Sequence, residues 1–172
     1  RRLSGGGAVF HDKGNLNFTF LAKKDSYDVD RQLQVIIQAC HDLGIHAEKT
    51  GRNDITVDGR KFSGNAFYAS GGRKYHHGTL LINVDTGSMS AYLNVDKQKL
   101  ASKGVSSVRS RVANLTEFRP DLTIDLMKEK MVSAFETVYG LKAAPYELDS
   151  AAASEEIKET QSFFKSDRWL YG

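Results

Sequence analysis

Hydrophobic and polar residues alternate in several stretches of the first half of the chain. The stretch Asn15–Phe20 places its leucine and two phenylalanines on one face, which predicts an amphipathic strand, and the apolar run Ala8–Phe10 before it predicts a shorter strand. A second alternating stretch surrounds Asp58-Gly59, a pair that favours a type I′ turn, so we predict a β-hairpin over residues 54–69. The stretch Gly78–Asp85 is apolar at consecutive positions, which predicts a strand that is buried on both faces.

A hydrophobic spacing of three and four residues predicts two longer helices. We expect Asp30 to cap the first and Gly44 to end it, with one buried face made of Leu33, Ile36, Ile37, Cys40 and Leu43. The second starts after Thr123, ends at Gly140, and buries Met127, Met131, Ala134, Phe135 and Val138. A shorter helix begins at Ser154. Because strands and helices are interspersed and no repeat is visible, we predict an α+β fold in which helices pack on a sheet.

Composition and charge narrow the class of protein. A chain of 172 residues with a formal charge of +3 suits one soluble domain and lacks the strong basic bias of a dedicated nucleic-acid binder. No apolar run is long enough to span a membrane, and Cys40 is the only cysteine, so we expect a cytoplasmic protein that binds neither nucleic acid nor membrane. The basic stretch from Lys97 to Arg111 has no acidic residue and predicts a mobile loop.

Three consecutive glycines, Gly5–Gly7, allow the backbone to approach a ligand and to direct N–H groups at an anion. A flexible turn is an equally good interpretation of this run by itself. The flanking Arg1, Arg2 and His11 favour an anion, because guanidinium groups match carboxylates and phosphates. Neither a Walker loop nor the dinucleotide-binding glycine pattern is present, so nucleotide binding requires another arrangement.

The predicted hairpin brings Asp54 and Lys61 together. Asp54 has the oxygen ligands that Mg²⁺ prefers, and Lys61 has the charge to face phosphate. On the residues alone, a turn aspartate and a solvated strand lysine explain the pair better. The adjacent His76 and His77 would point to opposite faces of a strand, which argues against a zinc site and places one of them in the core or a pocket.

Taken together, four blocks of the sequence resemble the lipoate-protein ligase signature. They are Arg1–Asp12 (RRLSGGGAVFHD), Gly51–Asp54 (GRND), Gly59–Ala66 (GRKFSGNA) and His76–Leu81 (HHGTLL), and the resemblance continues through Lys103–Val112. It implies the catalytic-domain fold of the biotin and lipoate protein ligases, with a mixed, mostly antiparallel sheet. It also implies that residues 1–148 are a catalytic domain truncated at its N-terminus, and that residues 149–172 are a helical tail leading towards an accessory region.

The resemblance assigns roles to individual residues. It implies that Lys61 is the catalytic lysine, in contact with both the lipoyl carbonyl and the adenylate phosphate. It places Asn53 near phosphate and Asp54 near phosphate and magnesium, and it implies that the basic loop closes over the adenylate. The remaining residues implied for lipoate or adenylate binding are Arg2, Ser4, Gly7, Ala8, Val9, Phe10, Ala66, His77, Gly78 and Thr79.

The implied reaction uses ATP, Mg²⁺ and lipoate. Lipoate would be activated to lipoyl-AMP and transferred to a lysine of an acceptor protein. The implied acceptors are the lipoyl domains of 2-oxoacid dehydrogenase complexes and the glycine cleavage H protein.

Two other functions remain open at this point. An octanoyl or lipoyl transferase of the same superfamily uses a cysteine nucleophile, but here the place before the hairpin holds Thr50–Asp54, and Cys40 is predicted to lie in the core, where a thiol is a poor nucleophile. A non-catalytic subunit that binds lipoate or adenylate is the other alternative, because family members carry further segments on both sides of this region.

Overall fold

A five-stranded sheet forms the centre of the protein. The computed structural model describes residues 2–51, 54–93, 111–147 and 154–172. The strands are β1 (Asn15–Lys23), β2 (Ala47–Thr50), β3 (Asp54–Val57), β4 (Arg60–Ser70) and β5 (Arg73–Leu81). They are arranged in the order β1-β5-β4-β3-β2, and every neighbouring pair is antiparallel. The predicted α+β class is confirmed.

Five α-helices lie in the described ranges. They are α1 (Val29–His41), α2 (Thr86–Tyr92), α3 (Ile124–Tyr139), α4 (Glu155–Lys165) and α5 (Asp167–Tyr171), and 3₁₀ turns cover Lys24–Ser26 and Leu115–Glu117. The chain divides into two compact units, Ser4–Leu141 and a terminal unit of Lys142–Gly172 with Arg1–Leu3. The first unit holds the sheet with α1 to α3, and the terminal unit holds α4 and α5. No helix in the described ranges is long and apolar enough to cross a membrane.

The two long helices form where the hydrophobic spacing predicts them. The predicted cap of α1 is wrong by two residues, because the Asp28 side chain, and not Asp30, accepts the hydrogen bond from the Arg31 N–H. Leu33 and Ile36 are fully buried on its inner face, each contributing roughly 1.5–3 kcal/mol through burial. The cap at Thr123 and the left-handed stop at Gly140 are confirmed for α3, which packs against α1.

The hairpin and the first long strand also agree with the sequence. The turn between β3 and β4 has positive φ at both central residues, 49° at Asp58 and 69° at Gly59, as a type I′ turn requires. The stretch Asn15–Phe20 opens β1.

Two predicted strands differ from the structure. Ala8–Phe10 is not in a strand, and Val9 is half exposed, because no neighbouring strand in the described residues pairs with this segment. The strand expected over Gly78–Asp85 instead covers Arg73–Leu81, where β5 pairs with β1 on one side and β4 on the other. Asp85 is the N-cap of α2, accepting hydrogen bonds from the N–H groups of Gly87 and Ser88.

The register assigns each strand residue to one of two faces. The helix face carries Ile55, Ser63, Asn65, His76 and Leu80, and His76 contacts Gln32 of α1 there. The front face is the opposite side and carries Asp54, Gly64, Ala66, His77 and Thr79. The predicted site residues on β3, β4 and β5, with the exception of Gly78, therefore share the front face.

Candidate active site

An irregularity in the sheet turns Lys61 towards the front face. Ile55 pairs with Ser63 but Thr56 pairs with Lys61, so Phe62 is an extra residue in β4. Such a bulge changes the direction of the side chains on one side of it. With regular alternation Lys61 and Gly64 would point to opposite faces, whereas the bulge places both on the face of Asp54.

Lys61 and Asp54 form an ion pair on this face. The Lys61 Nζ lies 2.7 Å from Asp54 Oδ1, and the two side chains are 37% and 29% exposed. This intermediate burial keeps the ammonium accessible to a ligand while reducing the screening of its charge by water. The structure thus brings together the two residues to which the sequence assigned phosphate chemistry.

The backbone of Lys61 is fixed by a returning segment of chain. Lys61 forms a parallel bridge with Val112, and the Ala113 N–H donates a hydrogen bond of 3.0 Å to the Lys61 carbonyl. The neighbouring Arg60 forms an ion pair of 2.7 Å with Glu117. The residues that directly follow the predicted basic loop, Val112 and Ala113, therefore contact the backbone of Lys61.

Front-face residues form two adjacent rows across the sheet. One row consists of Asp54 on β3, Gly64 on β4 and Thr79 on β5, and the next pairs Ala66 with His77. Neighbouring strands are about 4.8 Å apart, so the first row spans about 10 Å from Asp54 to Thr79. Ala66, His77 and Thr79 thus lie within one small-molecule length of the ion pair.

The glycine-rich segment is attached to this face through a serine. Ser4 is buried, and its hydroxyl is hydrogen-bonded to His77 Nε2 at 2.5 Å. Gly7, Ala8 and Val9 are exposed, and a Cβ at Gly7 would have no atom within 4 Å. Phe10 packs against a small cluster of Leu81, Val84 and Met89, and its ring stacks on Tyr92 at 6.1 Å.

Asp12 fixes the end of the same segment, a role that the sequence analysis did not assign. One of its carboxylate oxygens accepts the Gly14 N–H at 2.8 Å, and the other accepts the Asp85 N–H at 2.8 Å. A Cβ at Gly14 would lie 1.9 Å from the Asn83 carbonyl oxygen, so only glycine fits there. The pattern of an aspartate two residues before a glycine is a turn signal that was available in the sequence.

A buried polar cluster supports the face from behind. His76 is fully buried, with its ring nitrogens 3.2 Å from the Gln32 side-chain oxygen and 2.8 Å from that of Asn65. Burial lowers the pKa of the His76 imidazole to about 4, and the adjacent His77 adds to this effect. The expectation that one of the two histidines packs in the core is confirmed, and the other is the one bonded to Ser4.

The remaining predicted site residues have separate outcomes. Gly78 is on the helix face, where a Cβ would come within 2.6 Å of the Gly64 carbonyl oxygen, so its lack of a side chain serves packing between β4, β5 and Phe18. Arg2 belongs to the terminal unit. Asn53, and the basic loop except Arg111, are outside the described residues.

The sole cysteine is in the core and not on the front face. Cys40 is fully buried on α1, and desolvation raises the pKa of its thiol to about 12. The core position predicted from the helix spacing is confirmed.

Thr56 is a front-face residue that the sequence analysis did not single out. It is the cross-strand partner of Lys61 and is buried, and its hydroxyl has no hydrogen-bond partner among the described residues. Its spacing of two residues from Asp54 within β3 was a signal in the sequence that the two side chains share a face, and the register adds that Thr56 is paired with Lys61.

The described residues contain no group of three or more metal-ligating side chains. Asp54 is the carboxylate next to Lys61, and one of its oxygens is used by the ion pair. This donor set suits an ion such as Mg²⁺, which often takes only one or two protein carboxylates and completes its shell with substrate phosphates and water. It does not suit an ion that requires a full protein cage.

The curated relatives of this chain include lipoate-protein ligases. Over 174 residues the chain is 47% identical to a lipoate-protein ligase A from Psychrobacter cryohalolentis, covering 98% of this chain and 51% of that protein. It is 46% identical over 178 residues to a lipoate-protein ligase A from Bdellovibrio bacteriovorus, covering 100% of this chain and 52% of that protein. The chain thus spans about half the length of these curated relatives.

Solved structures share the fold. LipL1 from P. falciparum in complex with lipoate is 30% identical with a TM-score of 0.82, covering 100% of this chain and 50% of that one. A bipartite lipoate protein ligase from Thermoplasma acidophilum, studied with its E2 lipoyl domain, is 29% identical with a TM-score of 0.76, covering 98% and 68%. The fold is also similar to that of a lipoate-protein ligase A bound with ATP. That structure is 24% identical in sequence with a TM-score of 0.79, and the match covers 98% of this chain and 70% of that one. The family model of the lipoyl protein ligase A/B catalytic domain matches residues 1–136, and the chain belongs to this family.

Proposed function

We propose that this chain provides the adenylation site of an ATP-dependent lipoate-protein ligase. In the first step a lipoate carboxylate oxygen attacks the α-phosphorus of ATP, forming lipoyl-AMP and releasing pyrophosphate. In the second step the amine of an acceptor lysine attacks the lipoyl carbonyl carbon, forming an amide and releasing AMP. The proposal agrees with the lipoate-bound and ATP-bound relatives of the same fold.

The single observation that carries the proposal is the half-buried Lys61 ammonium, held by Asp54 on the front face at 2.7 Å. Negative charge develops on phosphate oxygens in the first step and on the carbonyl oxygen in the second. A fixed cation at these positions stabilises both transition states, and it does so more strongly in a partly desolvated site than in water. Lys61 acts as an electrostatic donor and forms no covalent bond.

Asp54 has a second task in this scheme. Before substrates bind, its carboxylate balances the Lys61 charge and limits the rotamers of the lysine side chain. Asp54 would also supply a carboxylate oxygen to Mg²⁺, whose charge would offset that of the ATP phosphates. Asn53, adjacent to Asp54 in the sequence, is part of this proposal as a phosphate contact.

The lipoyl chain has a suitable place beside the ion pair. Ala66 has only a methyl group on the front face, so an elongated apolar ligand would have room above this part of β4, beside Lys61. His77 and Thr79 lie on the adjacent strand and would border it. Ser4 is bonded to His77, and in this proposal the backbone N–H groups of the glycine segment that follows it, Gly7 to Phe10, would bind the adenylate phosphate.

The acceptors we propose are lipoyl domains of 2-oxoacid dehydrogenase complexes and the glycine cleavage H protein, modified in the cytoplasm. The archaeal relative studied together with an E2 lipoyl domain supports the first of these classes. The transferase alternative is disfavoured because it requires a reactive cysteine, and Cys40 is buried with a raised thiol pKa.

The test is single-turnover formation of lipoyl-AMP from lipoate and Mg-ATP, detected by mass spectrometry of the denatured protein. It uses the natural full-length protein. We expect Lys61→Ala to reduce the rate on the order of a hundredfold, the scale of losing one preorganised electrostatic donor. Lys61→Arg should rescue poorly, because a planar guanidinium does not replace a compact ammonium.

Lys49 supplies a matched control. It is also a strand lysine in an ion pair, 2.6 Å from Asp30, but it lies on β2 away from the front-face rows. Lys49→Ala should change the rate by less than about twofold, as surface substitutions do. A folded Lys61→Ala protein that forms the adenylate as fast as the Lys49→Ala protein would contradict the proposed role. A wild-type protein that forms no adenylate would contradict the ligase function.

A further inference from the structure

Gly64 is a glycine without a backbone reason to be one. It lies inside β4 and does not have positive φ, so any residue could adopt its conformation. Glycine in a strand interior weakens the strand, because the free backbone loses more entropy on folding and there is no side chain to pack. The position of neighbouring atoms must therefore explain it.

The atoms that an alanine would meet at this position belong to one side chain. A Cβ at Gly64 would lie 3.0 Å from Lys61 Nζ and 3.1 Å from Lys61 Cε. Apart from the residues adjacent in the chain, no other described heavy atom would lie within 4 Å of it. At Gly78, by contrast, a Cβ would meet the Gly64 backbone oxygen, Phe18 and Asn65. Gly78 is required by the fold, whereas Gly64 leaves space only for the end of the lysine.

The register explains how this contact arises. Gly64 is the cross-strand partner of Asp54, and the bulge at Phe62 turns Lys61 to the same face. To reach Asp54, the lysine side chain must run past the Cα of Gly64. The ammonium then lies 2.7 Å from the carboxylate. A methyl group on Gly64 would crowd the end of the lysine, which would have to shift by a few tenths of an ångström.

We propose that Gly64 is a positioning residue for Lys61: its missing side chain is what allows the ammonium to lie against Asp54. The contact would be relieved by a small movement of a flexible side chain. Gly64→Ala should therefore fold normally but hold the ammonium in a different place. The expected effect of Gly64→Ala on catalysis rests on the proposed function. The expected effect on the position of the Lys61 ammonium does not.

The first experiment follows Lys61 directly and needs no enzymatic activity. The protein is treated with limiting acetic anhydride, and acetylation of Lys61 is measured by peptide mass spectrometry, with Lys49 in the same sample as the reference. An amine released from its carboxylate partner reacts faster. We expect Gly64→Ala to raise the labelling rate of Lys61 roughly two- to fivefold relative to Lys49, the factor that corresponds to a partly exposed ion pair. Asp54→Asn, which removes the pair from the other side, should produce a similar increase.

The second experiment is a double-mutant cycle in the full-length protein. Gly64→Ala should slow single-turnover adenylation severalfold, mainly through kcat, because Lys61 Nζ would have to move by a few tenths of an ångström from its position beside Asp54. In the Lys61→Ala background the same substitution should cost nothing further, since the group that it displaces is gone. Thermal melts accompany each variant. If Gly64→Ala is unstable, stability should return in the Lys61→Ala background.

Each outcome has a defined meaning. Unchanged labelling of Lys61 in Gly64→Ala would overturn the proposal, as would a loss of activity that simply adds to that of Lys61→Ala. Additivity would mean that Gly64 makes room for the ligand or maintains the strand. Altered labelling together with a wild-type protein that forms no adenylate would retain the positioning role and reject the ligase function.

Discussion

The buried His76 makes a quantitative prediction about stability and pH. Its ring is fully buried between α1 and the sheet, with Phe67 4.8 Å and Phe18 5.3 Å away between ring centroids. The side-chain oxygens of Gln32 and Asn65 are near its two nitrogens. Two acceptors would suit an imidazolium, but burial among aromatic rings disfavours the charge, and a half turn of either amide supplies a donor to the neutral ring. The neutral ring is therefore the folded form near pH 7.

The sign and size of the effect follow from the lowered pKa. In the unfolded chain the imidazole titrates near its ordinary value of 6.5, and in the folded protein near 4. Above 6.5 both states are neutral and the group has no effect on stability. As the pH falls from 6.5 towards 4, only the unfolded state binds the proton, so folding becomes less favourable. The full loss is about 3 kcal/mol, and between about pH 7 and about pH 5 it is about 2 kcal/mol.

The assay is urea unfolding of wild type and His76→Gln at about pH 7 and about pH 5. Glutamine keeps a donor and an acceptor but does not titrate, so the variant should show a smaller loss of stability on acidification, by about 2 kcal/mol. The exposed His46 provides the control, because His46→Gln should retain the wild-type loss. An identical pH dependence in wild type and His76→Gln would refute the argument that a buried neutral imidazole contributes to acid sensitivity.

Two further predictions concern single buried groups. Thr56→Val should raise the free energy of unfolding by about 1 kcal/mol and the melting temperature by about 2–4 °C. The reason is that a methyl group of similar size replaces a buried hydroxyl that has no hydrogen-bond partner among the described residues. A lower melting temperature would show that the hydroxyl does form a hydrogen bond. The Cys40 thiol should not react with Ellman's reagent in the folded protein and should react on unfolding in urea, and Cys40→Ala should retain adenylation; rapid native-state labelling coupled to loss of activity would favour the transferase alternative.

The sequence predicted the elements that depend on local signals. The helix around Leu33 and the one after Thr123 follow from hydrophobic spacing and capping residues, which act within one or two turns. The hairpin turn follows from Asp58-Gly59, because only a few residue types accept positive φ there. The prediction of the α1 cap was wrong by two residues because Asp28 and Asp30 are both residues of a type that caps helices, so residue type alone does not decide between them.

The errors on strands have two causes, dependence on distant partners and a missed local signal. A strand exists only where another strand accepts its hydrogen bonds, so Ala8–Phe10 is apolar without being a strand in the structure. The strand β5 pairs with β1 and β4 on its two sides, and its start at Arg73 follows the two-residue turn Gly71-Gly72, whose φ values are both positive, a local signal that the sequence analysis missed. Dependence on distant partners also explains why the partner of Lys61 was expected from proximity alone, while the geometry of the contact was not.

The bulge at Phe62 determines how the site is assembled. Alternation along β4 would assign Lys61 to the face opposite Gly64 and Ala66, away from Asp54. One extra residue reverses that assignment for Lys61 while Ser63 and Asn65 stay on the helix face. Phe62 is fully buried, so the core holds the irregularity in place. Lys61 therefore points to a face of the sheet that is made of small and polar residues. The burial of Phe62 on the opposite side of the sheet offsets the free energy lost by the irregular pairing. The candidate site is thus specified jointly by the residues of the front face and by a core residue behind it.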